Sequence, residues 1–359
     1  MVCTNIPGLF GITNSNRDFT KADAWGKNQF NSSFPVALAC YLYDKNLKAI
    51  YIKSDETAKA IIEYINISDV FNINPLNENV YYAFETPFTP FQKYVVGSLP
   101  RNDISIIDLN ADKCISSLEI KLTALPDNAT CLLTDDKYGS EIVVRPDTIV
   151  YLACSFIEMF NGNQTEIYEL ISGVSNKISD WTQAKNILPF INEICSAIHK
   201  IIKDKNKTQF PIILNPIWKT KGKRPQLADN CLDVFIWSNL GMISLFMPHI
   251  NSEISSISRH TRSVVWLFKM LSDYANDGKF NGAKIIDELS YNTKNDKAFA
   301  TSGIRTNYLM RCNELTAPRI RKHEIKNIIH GGGQNLLSPE RRFDAIIYNS
   351  PDLFEEELG

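Results

Sequence analysis

The sequence has no apolar run of the roughly 18 residues that a membrane-spanning helix needs. Its densest apolar stretch, 149–160, is shorter and carries Ser155 and Glu158. No transmembrane span and no membrane partner are therefore expected. The opening MVCTNIPGLFG holds neither a basic segment nor a continuous apolar core, so a secretory leader is not expected either. The eight Cys form no CxxC pair, and several sit in apolar surroundings, as Cys40 does in VALACYLY and Cys154 in VYLACSF. They read as reduced, buried small residues of a cytoplasmic protein. With five His and no close Cys/His pairing, a structural zinc site is not expected. An excess of one charge is also missing. Lys plus Arg is 38 against 40 Asp plus Glu, a net −2, which excludes a uniformly basic coat but not a local basic groove.

What is present is ordinary globular material. Of 359 residues, 44% are hydrophobic and 22% are charged. That length supports one elaborated domain or two coupled lobes. Residues 34–44 read as a helix with Pro35 in its first turn. LKAIYIK at 47–53 reads as a strand and ETAKAIIEYI at 56–65 as a helix, which points to a layered α/β protein. TIVYLAC at 148–154 reads as a further strand or the start of a helix. A long helix broken near Pro189 is expected over 181–202, and extended chain over 209–218. KTKGKR at 219–224 reads as a basic loop that could mark a lobe boundary. A strand pair is expected within 232–246, and helices over 258–274 and 282–288.

The sharpest feature is a hairpin. DISIIDL at 103–109 and CISSLEIKL at 114–122 flank a turn at 110–112. Glu119 and Lys121 lie two apart in an apolar strand, and residues two apart share a face. A buried carboxylate or ammonium is costly alone. A divalent cation with a phosphate gives both a use, since Asp and Glu supply hard oxygen ligands for Mg2+ and Lys supplies positive charge. A turn centred on 110–112 puts Glu119 opposite position 103 or 104. Asp108 then falls about four residues away with the opposite parity, so Asp103 is the favoured partner. A bulge would reverse that choice, and an edge-strand ion pair remains the plain alternative to catalysis.

The Asp103 and Glu119-x-Lys121 arrangement resembles the nuclease core of PD-(D/E)xK enzymes. Further strings carry a closer resemblance: GLFGITNSNRDF at 8–19, WGKNQFNSSFP at 25–35, SLEIKLTALPD at 117–127, IVVRPDTIVYLA at 142–153, and, later, RHTRS and HGGGQN. On these the chain is similar to the HindVP family of type II restriction endonucleases. The resemblance implies a restriction-endonuclease-like core, with a mixed β-sheet flanked by helices and elaborated by further helices and loops. It implies a Mg2+-dependent homodimer cutting both strands of double-stranded DNA, beside a DNA methyltransferase that protects the host. It suggests the site GRCGYC and 5′-phosphate ends. The whole chain, 1–359, would be one nuclease domain, with a catalytic core and amino-terminal DNA-contact loop in 1–215 and recognition and dimerisation elements in 216–359. Asp103, Glu119 and Lys121 match the motif, with the Ile120 carbonyl as a further metal ligand. The usual Pro before the Asp is Asn102 here, which keeps Asp108 in play.

Other residues are candidates at the rim or on DNA. Asp108, Arg145 and Asp147 are reserve metal or rim residues, the last two beside Pro146. Glu78 and Glu85 could approach from a neighbouring element. The polar loop at 14–31 offers Asn14, Asn16, Arg17, Lys27, Asn28, Gln29 and Asn31, side chains that read base edges or bind phosphate. From Arg305 to Arg342, eight Arg or Lys stand against three Glu. Arg305, Arg311, Arg319, Arg321, Lys322, Lys326, Arg341 and Arg342 suit phosphate neutralisation. Arg259 and Arg262, three apart on a helix, could clamp a phosphate. Three competing functions are another Mg2+ nuclease of this core, a non-catalytic DNA-binding protein, and, more distantly, a glycosidase with paired carboxylates.

Overall fold

In a computed structural model, the described residues are 43–44, 46–54, 60–71, 74, 77, 79–108, 110–111, 113–121, 143–144, 146–204, 212–214, 218–221, 224–227, 233–236, 257, 259–291 and 299–300. The expected helix over 34–44 lies mostly outside them, as do the amino-terminal loop and everything after 300. β-Branched and aromatic residues make AIYIKS a strand, β1 (Ala49–Ser54). The next element corrects the sequence reading. AIIEYI is not helical but forms β2 (Ala60–Ile65), paired antiparallel to β1 from Ala49↔Ile65 to Ser54↔Ala60. Its isoleucines fit a pleated surface, and the waiting β1 edge outweighs the helical preference of the preceding Glu-Thr-Ala-Lys-Ala.

A short helix α1 (Ile67–Phe71) leads to β3 (Val80–Thr86), β4 (Asn102–Asp108) and β5 (Lys113–Lys121). After β6 (Val143–Val144) come α2 (Pro146–Met159), α3 (Gln164–Ser175), α4 (Ala184–Ile187) and α5 (Ile191–Asp204). The break expected near Pro189 is a 3-10 turn, Leu188–Phe190. Four short strands follow: β7 (Ile212–Leu214), β8 (Trp218–Lys221), β9 (Arg224–Leu227) and β10 (Asp233–Ile236). α6 (Arg259–Asp277), α7 (Gly282–Glu288) and β11 (Phe299–Ala300) complete the described elements.

The main sheet has seven strands in the order β2-β1-β7-β10-β5-β4-β3. Its ladders among the described residues are all antiparallel, where a mixed sheet was expected. Both halves of the chain build it, because β10 is inserted between β7 and β5. The 219–224 segment is also not a plain loop. It belongs to a separate two-stranded ribbon of β8 and β9.

The helices gather around α6, against which α2, α3 and α5 pack. In α6 the consecutive residues Val264 to Phe268 are at most 2% exposed. Five consecutive buried residues cover more than one helical turn, which places this part of α6 at the centre of the helical layer. α5 keeps the one-sided pattern, burying Ile191, Ile194, Ile198 and Ile201 at the spacing of a single helical stripe. Asn163 caps α3 through its Oδ1, which accepts from the Glu166 N–H at 3.3 Å. Before it, Gly162 has φ +72°, and its carbonyl accepts from the Tyr274 hydroxyl at 2.8 Å, tying the α2–α3 turn to α6. Cys154 is fully buried and Cys195 partly so. Burial pushes the Cys195 thiol up to about 11 and that of Cys154 still higher, in keeping with unreactive packing residues. Among the described residues no helix is long and apolar enough to cross a membrane.

Candidate active site

β4 is fully buried at its centre, with Ile104, Ser105 and Ile106 at 0% exposure, and partly open at Ile107 and Asp108. Asp103, second in the strand, is itself half-buried. β4 and β5 form the hairpin that the turn residues predict. Their ladder runs Ile104↔Leu118, Ser105↔Ser117 and Ile106↔Ser116. Both strands continue beyond the first of these pairs, to Asn102 and Lys121. One step further along each strand are Asp103 and Glu119. Opposed residues of an antiparallel ladder lie about 4.5–5.5 Å apart at Cα. Glu119, Ile120 and Lys121 in turn pair with Ile236, Phe235 and Val234 of β10. Glu119, Ile120 and Lys121 are therefore held by β10 on one side, next to the β4 pairing that ends at Ile104↔Leu118, near one end of three adjacent strands.

The register shifts between Ile106 and Ile107, so that Asp108 pairs with Lys113. This bulge lies on the turn side of the Ile104↔Leu118 pair and leaves the Asp103 level untouched. Asp108 has a local task. Its Oδ1 accepts from the backbone N–H groups of Asn110 at 2.9 Å and Ala111 at 3.2 Å. The carboxylate thus closes the hairpin turn, at the opposite end of β4 from Asp103.

Asn102, in the place of the motif's usual Pro, pairs with Thr86 of β3. It is 1% exposed, and its amide oxygen and nitrogen have no hydrogen-bond partner. The entry to β4 is fastened from the helical layer instead. The Tyr151 hydroxyl of α2 accepts from the Phe88 N–H at 2.9 Å and donates to the Pro100 carbonyl at 2.7 Å. One buried phenol thus clamps both ends of the segment joining β3 to β4. Sequence reasoning missed this residue, since a Tyr inside VYLAC looks like plain core. Tyr151→Phe leaves that buried N–H without its acceptor, which costs about 1–3 kcal/mol. The thermal midpoint is expected to fall; an unchanged midpoint would remove Tyr151 from this role.

Asp147 is exposed in the first turn of α2, after Pro146, where a carboxylate favours the helix start. Arg262 corrects the expected phosphate clamp. It is 2% exposed, with its guanidinium carbon 4.9 Å from the Trp266 ring centroid and Nη1 donating to the Ser290 carbonyl at 3.3 Å. A side chain so enclosed packs the helical layer and does not face a duplex. Arg259 begins α6, and Glu85 lies within β3. Arg145, Glu78, the loop residues from Asn14 to Asn31 and the basic residues from Arg305 to Arg342 lie outside the described residues.

Two carboxylates and a strand carbonyl are hard-oxygen donors of the kind a small divalent cation takes. Among the described residues no group of three or more His, Cys, Asp or Glu converges on a point. The donor set therefore rests on the strand register.

The family model described as HindVP restriction endonuclease matches residues 25–354. The type II restriction enzyme HgiDI of Herpetosiphon aurantiacus is 47% identical over 357 residues, 99% of each chain. The probable type II restriction enzyme HindVP of Haemophilus influenzae is 48% identical over 350 residues, 97% of this chain and 95% of its own. No solved structure matches. Likeness of this extent puts the protein in the class of type II restriction endonucleases. Within that class, the chain belongs to the HindVP restriction endonuclease family.

Proposed function

We propose that this enzyme hydrolyses phosphodiester bonds in both strands of double-stranded DNA at a short palindrome, with Mg2+, leaving 5′-phosphate ends. The observation that carries the mechanism is the β4–β5 register, in which Asp103 and Glu119 occupy the step next to the Ile104↔Leu118 pair. Asp103, Glu119 and the Ile120 carbonyl would hold the cation. Once bound, such a cation polarises the scissile phosphate and lowers the pKa of a water. Lys121 adds positive charge beside the phosphate and steadies the charge that develops there. The seven-stranded sheet that carries this hairpin, one strand in from its β3 edge, is read as a restriction-endonuclease-like core.

The recognition sequence proposed is GRCGYC, from the family resemblance. A homodimer suits it, because a two-fold protein matches a two-fold site. A methyltransferase of the same specificity would protect the host DNA, and the enzyme would work in the cytoplasm. Residues 14–31 and the basic stretch from 305 to 342 remain the proposed DNA contacts, and the chain is read as one nuclease domain. The test is digestion of unmethylated phage DNA with and without Mg2+, followed by sequencing of the fragment ends. Discrete fragments whose junctions lie at GRCGYC are expected only with Mg2+. Random degradation, or equal cutting after chelation, would defeat the reading.

A further inference from the structure

The β8–β9 ribbon has a pattern that neither the core nor the hairpin explains. Its register is Trp218↔Leu227, Lys219↔Gln226, Thr220↔Pro225 and Lys221↔Arg224, with Gly222 and Lys223 between the strands. Opposed residues of a ladder share a face, and the faces alternate along each strand. Trp218, Thr220, Pro225 and Leu227 therefore fall on one face. Lys219, Lys221, Arg224 and Gln226 fall on the other. One face suits protein and the other suits phosphate.

Topology fixes where this ribbon leaves the sheet. Leu214, the last residue of β7, pairs with Asp233, the first of β10. The next pair along β10, Val234, lies opposite Lys121 of β5. The chain carrying β8 and β9 thus departs and returns at the Lys121 end of the central strands. That is also the end at which β4 begins with Asn102 and Asp103. A ribbon of four-residue strands is about 13 Å long at roughly 3.4 Å per residue, comparable with the major groove, about 12 Å wide, which admits a two-stranded ribbon.

We propose that the β8–β9 ribbon is a DNA-binding arm that lays Lys219, Lys221 and Arg224 against the phosphates flanking the scissile bond. The proposal rests on the reading of this enzyme as a Mg2+-dependent DNA nuclease. A cation at each of these positions displaces counterions from the duplex, so its loss shows in the salt dependence of binding.

The experiment uses the full chain with Lys219→Gln, Lys221→Gln and Arg224→Gln together, which keeps long polar side chains at each site. Equilibrium binding to duplexes with and without GRCGYC is measured in EDTA over a range of NaCl. Binding at 0.1 M salt is expected to weaken about 10²-fold for both duplexes, and the log–log salt slope to shallow by about two to three. Arg224→Gln alone, a milder change, is expected to lose about one from that slope. Wild-type affinity and slope in the triple variant would overturn the arm. Mg2+-dependent cleavage by the unaltered protein is recorded alongside. If it persists while the slope stays unchanged, the ribbon proposal fails alone. If the unaltered protein neither binds nor cuts duplex DNA, the nuclease reading fails and the arm falls with it.

Discussion

Asp103→Asn is expected to lower Mg2+-dependent DNA cleavage by about 10²–10³-fold or more while leaving the protein folded. Losses of that order follow removal of one group that stabilises charge developing in a transition state. The substitution is nearly isosteric, so the half-buried end of β4 keeps its shape and loses only the negative charge that would hold the cation. Lys121→Ala is expected to do the same from the other side of the phosphate. The informative partner is Asp108→Asn. An Asn side-chain oxygen accepts the same Asn110 and Ala111 N–H bonds that Asp108 accepts now, so the turn survives and cleavage should stay within a few-fold of wild type. Measuring initial cleavage rates for the three variants, with melting curves as the folding control, decides between the two aspartates. An active Asp103→Asn beside a dead Asp108→Asn would move the metal to the turn end of the hairpin and dissolve the proposed site.

The hairpin was legible because it is local. Two apolar runs around Asn110 and Ala111 specify which positions face each other, and the observed Ile104↔Leu118 pair sets Glu119 level with Asp103. The shift between Ile106 and Ile107 was not legible, since nothing in Cys-Ile-Ser at 114–116, where β5 carries the extra residue, marks it. The failure at Ala60–Ile65 has a different cause. Ala-Lys-Ala-Ile-Ile-Glu satisfies a helix period by itself, and only the partner strand β1 converts it. The ribbon was hidden by its charge, because KTKGKR resembles a solvated loop until Lys219 is seen to pair with Gln226 and the flanking Trp218 with Leu227. Arg262 was misread for a related reason: its charge suggests surface, whereas the Trp266 ring and the Ser290 carbonyl that receive it are supplied by the fold.

Phe268→Ala is expected to give the largest loss of stability, about 3–5 kcal/mol. Phe268 is 0% exposed on α6, the helix that α2, α3 and α5 surround. Its ring centroid lies 6.3 Å from that of Trp181. Truncation removes the ring's burial and leaves a cavity whose walls are fixed on several sides, so little of the loss is recovered by relaxation. Trp181 cannot fill the space cheaply, because the carbonyl of the same residue accepts from the Tyr291 hydroxyl at 2.9 Å and anchors its backbone. The hairpin residues themselves are unchanged, so at low temperature the variant should still cut DNA, and the defect should appear as a lower melting midpoint and earlier thermal inactivation. Chemical denaturation of the folded variant measures the size of the change. A loss below about 1 kcal/mol would mean that α6 is not the centre of the helical layer, since a fully enclosed phenylalanine cannot be removed from a close-packed core so cheaply.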